Sequence, residues 1–290
     1  MFFDLPPTIL QQCSLILDSD ILSVHEVSGG DINQARLLVT GRGRFFLKMN
    51  TGKDAAAMFE AEAKGLDMLR KTKTLPIPAT LAAGNTEAGA FLLMEFIETG
   101  HRAAGFWETF GEGLAHLHRT TASQFGLDHS NFIGSLRQSN QGHGTWPAFY
   151  AQERLQPQLE LAVRSNRLPA SEALRFEKLY QKLPGLCPDE PPALTHGDLW
   201  SGNFLVSNRH QPVLIDPAVS YAHREMDLAM SRLFGGFDRP FYRSYEETWP
   251  LEPGFEQRLP VYQLYYLMVH VNLFGGGYAG SVRSVLDRFI

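Results

Sequence analysis

His196-Gly197-Asp198-Leu199-Trp200-Ser201-Gly202-Asn203, with Ile215-Asp216-Pro217 close behind, is the stretch from which the rest of the chain can be placed. It sets an aspartate, an asparagine five positions on, and a second aspartate eighteen positions after the first. That set suits phosphoryl transfer from a nucleotide. Asp198 serves as the base for an acceptor hydroxyl, and Asn203 and Asp216 hold Mg2+ on the nucleotide phosphates. Phe204-Leu205-Val206 and Val213-Leu214-Ile215 predict two short strands joined by a turn over 208–212. Singly, each of the three polar residues is a common turn or cap former; their joint spacing is the signal. His196 is read as a hydrogen-bonding support of the loop, because Asp198 is better placed to accept the proton.

Upstream of this stretch the pattern is β-rich. A helix is predicted over 9–22, followed by strands over Val24 to Val27, Ala35 to Thr40 and Arg44 to Met49, with glycine turns between them. A helix over about 54–71 leads to a proline-bearing connection and strands over Ala79 to Ala83 and Phe91 to Phe96. Beyond Ile97 helical periodicity takes over, at about 105–121, 146–164, 170–182, 225–234 and 256–273. The only strands expected there are the pair beside the catalytic loop. A sheet-rich first part and a helix-rich remainder imply an α+β protein of two lobes, 1–97 binding nucleotide and 98–290 carrying catalysis and acceptor binding. The ligand is expected in the cleft between such lobes.

With 290 residues, the chain is long enough for two lobes, and its 44% apolar and 20% charged residues are those of a globular protein. A net charge of −5 argues against nucleic acid as a partner. Cys13 and Cys187 suggest neither a disulfide framework nor a zinc site. Met1 to Pro7 lacks the basic start of a signal peptide, and no apolar run approaches the roughly 20 residues of a membrane span. A cytoplasmic protein is expected, away from the membrane and monomeric by default.

Three further places bear on the nucleotide. Gly29 and Gly30, in the first hairpin, would let backbone amides approach a polyphosphate, although paired glycines in a hairpin also serve simply as a turn. Lys48 stands in the otherwise apolar strand Phe45-Phe46-Leu47-Lys48-Met49, where burial demands a partner for its charge. It is read as a phosphate contact held by Glu62 on the following helix; Glu60, two positions away, points elsewhere. Met94, Glu95, Phe96 and Ile97 lie where the lobes join, and their backbone groups could meet an adenine edge, with Met94 and Ile97 beside the ring.

Together with these residues, longer stretches resemble the fructosamine kinase (ketosamine 3-kinase) family, within the aminoglycoside and choline kinase-like group. They are His196 to Asn203 with Trp200, Asp216-Pro217-Ala218 followed by Tyr221, His223, Arg224, Glu225, Asp227 and Leu228, and also Phe59 to Leu69, Trp146 to Ala162 and Tyr262 to Tyr278. The likeness spans nearly the whole chain. It implies a protein-kinase-like fold, ATP and Mg2+ as cofactors, and transfer of the γ-phosphoryl to the 3-hydroxyl of an amine-linked sugar on a small ketosamine or a glycated protein. The 3-phosphate destabilises the adduct and frees the amine. Asp216-Pro217 stands where protein kinases have Asp-Phe-Gly, which argues against a mobile activation segment.

For the acceptor side, Trp200 is expected to stack on the sugar rather than pack under the loop, and Glu225, Tyr265 and His270 are candidate contacts, although core packing accounts for most of the helix that carries the last two. Asp227 is read as support of the catalytic loop from behind. Acidic residues at a helix start also have a dipole reason to be there. Gly275-Gly276-Gly277 reads as a helix end rather than a phosphate loop. The rival readings are a kinase of the same fold acting on an aminoglycoside, choline-like alcohol or other sugar, and a non-catalytic nucleotide-binding pseudokinase.

Overall fold

The computed structural model describes residues 5–27, 33–275 and 277–290. The Gly29-Gly30 pair lies outside them. In chain order the elements are α1 (Pro7–Leu17), β1 (Ile21–Glu26), β2 (Gln34–Thr40), β3 (Gly43–Asn50), α2 (Ala55–Thr72), β4 (Thr80–Thr86), β5 (Gly89–Glu95), α3 (Phe106–His118), β6 (Asn131–Ile133) and β7 (Leu136–Gln138). There follow α4 (Trp146–Phe149), a π-helical stretch (Tyr150–Leu155), α5 (Gln156–Arg164), α6 (Glu172–Leu186), β8 (Ala193–Thr195), β9 (Phe204–Val206), β10 (Pro212–Leu214) and β11 (Ser220–Ala222). Four helices close the chain: α7 (Glu225–Leu233), α8 (Arg239–Thr248), α9 (Phe255–Phe274) and α10 (Tyr278–Phe289).

Two compact units result. The first runs to Phe106 and takes in Phe204–Pro217; the second comprises Trp107–Asn203 and Ala218–Ile290. This differs from a single cut after residue 97. Residues 98–100 are tied by backbone to the β9–β10 hairpin, through Gly100 N–H to the Val206 carbonyl at 2.8 Å and Asn208 N–H to the Glu98 carbonyl at 2.7 Å. The hairpin bearing Ile215-Asp216 therefore belongs with the sheet.

In the first unit an antiparallel sheet of order β1-β2-β3-β5-β4 is built from consecutive hairpins. α1 presents Ile9, Cys13 and Leu17 at four-residue spacing, one stripe of a helix. That stripe packs with Leu38, Leu47, Met49, Phe91 and Leu93 of the sheet. Strand alternation then turns Lys48 to the other face, level with Leu92 in the β3–β5 register. α1 ends earlier than periodicity suggests, because Asp18 adopts a left-handed conformation and Ile21 opens a strand.

The second unit has a larger core, formed around α9 by α4 to α7 and α10. Four short strands were not anticipated here: β6 pairs with β7, and β8 pairs with β11. The helix expected over 146–164 is interrupted by the π-helical turn. Pro157 has no N–H to return to the Glu153 carbonyl, which takes a hydrogen bond from Arg154 Nη1 at 3.2 Å.

Candidate active site

The first unit brings together three of the expected residues. Lys48 Nζ donates to Glu62 Oε1 at 2.7 Å and also to Asp216 Oδ1. Lys48 is buried, and its ammonium needs these carboxylates to remain charged there. Burial by itself would lower its pKa; Glu62 and Asp216 outweigh burial and raise it. Glu62 goes the same way for a different reason: burial pushes its carboxyl up to about 7 against the pull of Lys48. One ammonium is shared by two carboxylates, so Lys48 holds its proton while burial weighs on the more enclosed acid. Glu60 is exposed, which leaves Glu62 as the glutamate of α2 that meets Lys48. Asp216 has φ 55, a left-handed conformation that aspartate tolerates better than most side chains, and its side chain is 40% exposed.

Met94 is buried at the end of β5. Glu95 donates its N–H to the Ala79 carbonyl at 2.8 Å, and its side chain accepts the Ala79 N–H at 3.1 Å. Phe96 lies under the Arg44 guanidinium, 4.5 Å from ring centroid to carbon, and Ile97 is half-buried.

The second unit holds the loop from His196 to Asn203. Asn203 donates through Nδ2 to Asp198 Oδ2 and to the Asp198 carbonyl, both at 2.9 Å. An asparagine that donates through its nitrogen keeps its amide oxygen as acceptor, the kind of atom a hard cation binds. The loop itself is fixed by its backbone. Asp227, fully buried, accepts the N–H of His196 at 2.7 Å and of Gly197 at 2.8 Å. The Ala218 N–H donates to the His196 carbonyl at 2.9 Å, and the Tyr266 hydroxyl donates to the Gly197 carbonyl at 3.1 Å. Gly197 is required here: its φ is +84, and a Cβ would stand 2.0 Å from the Ala218 carbonyl oxygen. His196 Nδ1 accepts the Asp198 N–H at 3.3 Å, a supporting contact within the loop. Burial raises the pKa of an acid such as Asp227, yet the hydrogen bond from His118 and the neighbouring donors hold it below the usual carboxylate range.

The acceptor-side candidates separate. Trp200 is 38% exposed and its indole lies over Gly202, where a Cβ would meet the ring at 2.4 Å. Glu225 is corrected: it is fully buried and gripped by the Arg258 guanidinium, Nε to Oε2 at 2.7 Å and Nη2 to Oε1, so its charge is already matched inside the protein. Glu225 also lies near His223 and Glu190, a grouping with the makings of a metal site. Arg224 grips Glu190 in the same two-pronged way, at 2.7 Å in both arms, so this grouping is an arginine–glutamate network. Tyr265 is corrected as well: it is buried, and its hydroxyl donates to Gln138 Oε1 at 2.6 Å. His270 is half-buried, with Nδ1 2.8 Å from the Tyr266 carbonyl and its ring 4.4 Å from that of Phe234. Tyr266 and His118, which both touch the loop's scaffolding, carry no motif that would have singled them out.

A five-stranded antiparallel sheet with a strand lysine paired to a helix glutamate, and a helical unit with an Asp–Asn loop, define a phosphotransferase of protein-kinase-like α+β fold. The aminoglycoside phosphotransferase APH(4)-Ia has this fold: the match has a TM-score of 0.64 over 98% of this chain and 99% of that one, at 16% identity. The family model for fructosamine kinase matches residues 7–290, and the chain belongs to the fructosamine kinase family. Among its relatives, the "Probable ketoamine kinase" of Lactiplantibacillus plantarum is 40% identical, over 93% of this chain and 95% of that protein. The chloroplastic protein-ribulosamine 3-kinase of Arabidopsis thaliana is 36% identical, over 94% of this chain and 84% of that protein. A Thermobifida fusca crystal structure assigned as a fructosamine-3-kinase matches with a TM-score of 0.86 and 31% identity, over 97% of this chain and 98% of that one.

Proposed function

We propose that this chain is an ATP-dependent ketosamine 3-kinase, acting on ribulosamine or fructosamine adducts and so serving the repair of glycated amines. The observation that carries this reading is the match of residues 7–290 to fructosamine kinases with the Asp198–Asn203 pair in place. In the reaction, the acceptor 3-oxygen bonds to the γ-phosphorus of ATP as the bond from that phosphorus to the bridging oxygen breaks. ADP departs, and Asp198 takes the hydroxyl proton. Lys48 would contact the nucleotide phosphates, steadied by Glu62, and the Met94 to Ile97 segment would meet the adenine.

Asn203 and Asp216 offer an amide and a carboxylate oxygen, the donors that suit Mg2+. Bound by them, Mg2+ would neutralise charge on the nucleotide phosphates. Trp200, partly exposed beside Asp198 in the sequence, would meet the sugar. Among the described residues no helix is long and apolar enough to cross a membrane.

The deciding experiment measures ATP consumption with ribulosamine, fructosamine, an aminoglycoside and choline side by side. Turnover is expected with the ketosamines. Turnover with the aminoglycoside and none with either ketosamine would replace this reading by that of an antibiotic kinase.

A further inference from the structure

Trp146 to Arg154 is a stretch to which the reaction described above gives no task, and it ends in a buried cation. The Arg154 guanidinium is held by neutral groups: the Ser139 carbonyl at 2.6 Å, the Glu153 carbonyl at 3.2 Å and Asn140 Oδ1 at 2.7 Å. From Asn140 a chain of buried amides runs on through the β6–β7 hairpin. Asn140 Nδ2 donates to the His129 carbonyl at 3.0 Å and to Asn131 Oδ1 at 2.9 Å. Gln138 Nε2 donates to the same Asn131 oxygen at 2.8 Å and to the Ala218 carbonyl at 3.4 Å. Asn131 Nδ2 in turn donates to the Val219 carbonyl at 2.7 Å.

These contacts fix which end of each amide is which. A guanidinium only donates, so Asn140 presents its oxygen to Arg154. A backbone carbonyl only accepts, so Asn140, Gln138 and Asn131 turn their nitrogens to His129, Ala218 and Val219. Two of those nitrogens also meet at Asn131 Oδ1, and the Tyr265 hydroxyl supplies the donor for Gln138 Oε1, at 2.6 Å. None of the three amides can turn over without setting oxygen against oxygen or a donor against the guanidinium. Burying a charge among neutral acceptors is costly, and a fully satisfied network returns a single geometry.

The far end of the chain bears on the loop that carries Asp198. Ala218 donates its N–H to the His196 carbonyl at 2.9 Å, and Gly197 backs onto the Ala218 carbonyl oxygen, which a Cβ would meet at 2.0 Å. Ala218 is thus tied to the loop on one side and to the hairpin amides on the other. We propose that Asn131 is a positioning residue for phosphoryl transfer. Its amide, aligned by Arg154 through Asn140, sets the Ala218-Val219 backbone against which His196-Gly197, and hence Asp198, takes its place. The inference rests on Asp198 being the base.

Two matched substitutions in the full chain separate positioning from burial. Asn131→Asp keeps the shape and the Oδ1 acceptor but sets an oxygen against the Val219 carbonyl. Asn272→Asp makes the same change at another buried asparagine, whose Nδ2 donates to the carbonyl and the side chain of Gln158 on α5, both at 2.8 Å. Steady-state kinetics with Mg-ATP and a ribulosamine are measured per mole of folded enzyme. For Asn131→Asp kcat should fall about 10- to 100-fold, the scale of a small misplacement of a reacting group, and for Asn272→Asp it should stay within about 3-fold. KM for ATP should be unchanged in both. Equal kcat in the two variants would overturn the proposal. Gln138→Met carries the test if Asn131→Asp does not fold. It keeps the side-chain length and removes the donor to the Ala218 carbonyl, so kcat should fall about 3- to 10-fold; the parent's kcat there would overturn the proposal. Asp198→Ala, measured in parallel, separates the two levels. If it keeps turnover, the base assignment fails and the inference with it. If it abolishes turnover while Asn131→Asp and Gln138→Met match the parent, only the role of Asn131 falls.

Discussion

The candidate residues of the first unit and those of the second are held in different ways. In the first unit charge holds charge: Lys48 lies between Glu62 and Asp216, and Asp216 is partly open to solvent. In the second unit the backbone is held, with the His196 and Gly197 N–H groups on Asp227 and the Gly197 carbonyl under Tyr266. An ammonium between carboxylates makes few angular demands and can exchange one anionic partner for another. Backbone donors on a buried carboxylate allow one geometry and lose much if it changes. The cluster around Lys48 is therefore built to accept another anion, and the loop on Asp227 to keep Asp198 where it is.

Substitutions can break this contrast. The largest effect belongs to Asp198→Asn, for which kcat should fall roughly 10²- to 10⁴-fold, the usual worth of a general base. Titration calorimetry should find Mg-ATP affinity unchanged; a matching loss of affinity would make Asp198 a nucleotide ligand instead. Next is Asp227→Ala, which strands buried donors and should cost about 3–5 kcal/mol in urea unfolding. An unchanged midpoint would mean that the loop does not depend on its anchor. Lys48→Met keeps the aliphatic stem and removes the ammonium. Mg-ATP affinity should fall roughly 10- to 100-fold, the value of a charge-assisted hydrogen bond or two. Stability should fall by only about 1–2 kcal/mol, because Glu62, already raised to about 7, can take up a proton. A stability loss as large as that of Asp227→Ala would erase the distinction between the two halves.

The sequence reveals the halves unequally. The catalytic loop is eight consecutive residues, so its chemistry is local, and its Asp–Asn contact follows from their spacing. Lys48 betrays itself as a charge in an apolar strand, and the five-stranded sheet through its glycine turns. Glu225 was misread because its partner, Arg258, lies 33 positions away, and nothing local distinguishes a paired buried carboxylate from one that waits for an amine. β8 and β11 are three residues each and pair across the catalytic loop, Thr195 with Ser220, which no short window of sequence encodes. α10 buries only Val282 and Leu286, one four-residue step of periodicity, too little to announce a helix. Tyr265 and Tyr266 are neighbours with different duties, toward Gln138 and toward Gly197, and composition cannot separate them.

The smallest effect concerns how the backbone-held half responds to acid. His223 is completely buried just before α7, the helix that carries Asp227, and its Nδ1 accepts the Glu225 N–H at 3.3 Å. Burial pushes its pKa down from 6.5 to about 4, with Glu190 opposing and Arg224 and Arg258 adding to the fall. The sign follows from proton counting. Between pH 6.5 and about 4 the unfolded chain binds a proton here that the folded chain refuses, so stability falls as pH falls through that window. At pH 5.5 the loss relative to pH 8 is about 1.4 kcal/mol from this group alone. His223→Asn retains an acceptor for the Glu225 N–H but does not titrate. Urea unfolding from pH 8 to 5 should therefore lose that part of its slope in the variant. An identical slope in both proteins would show that a group other than His223 carries the acid response.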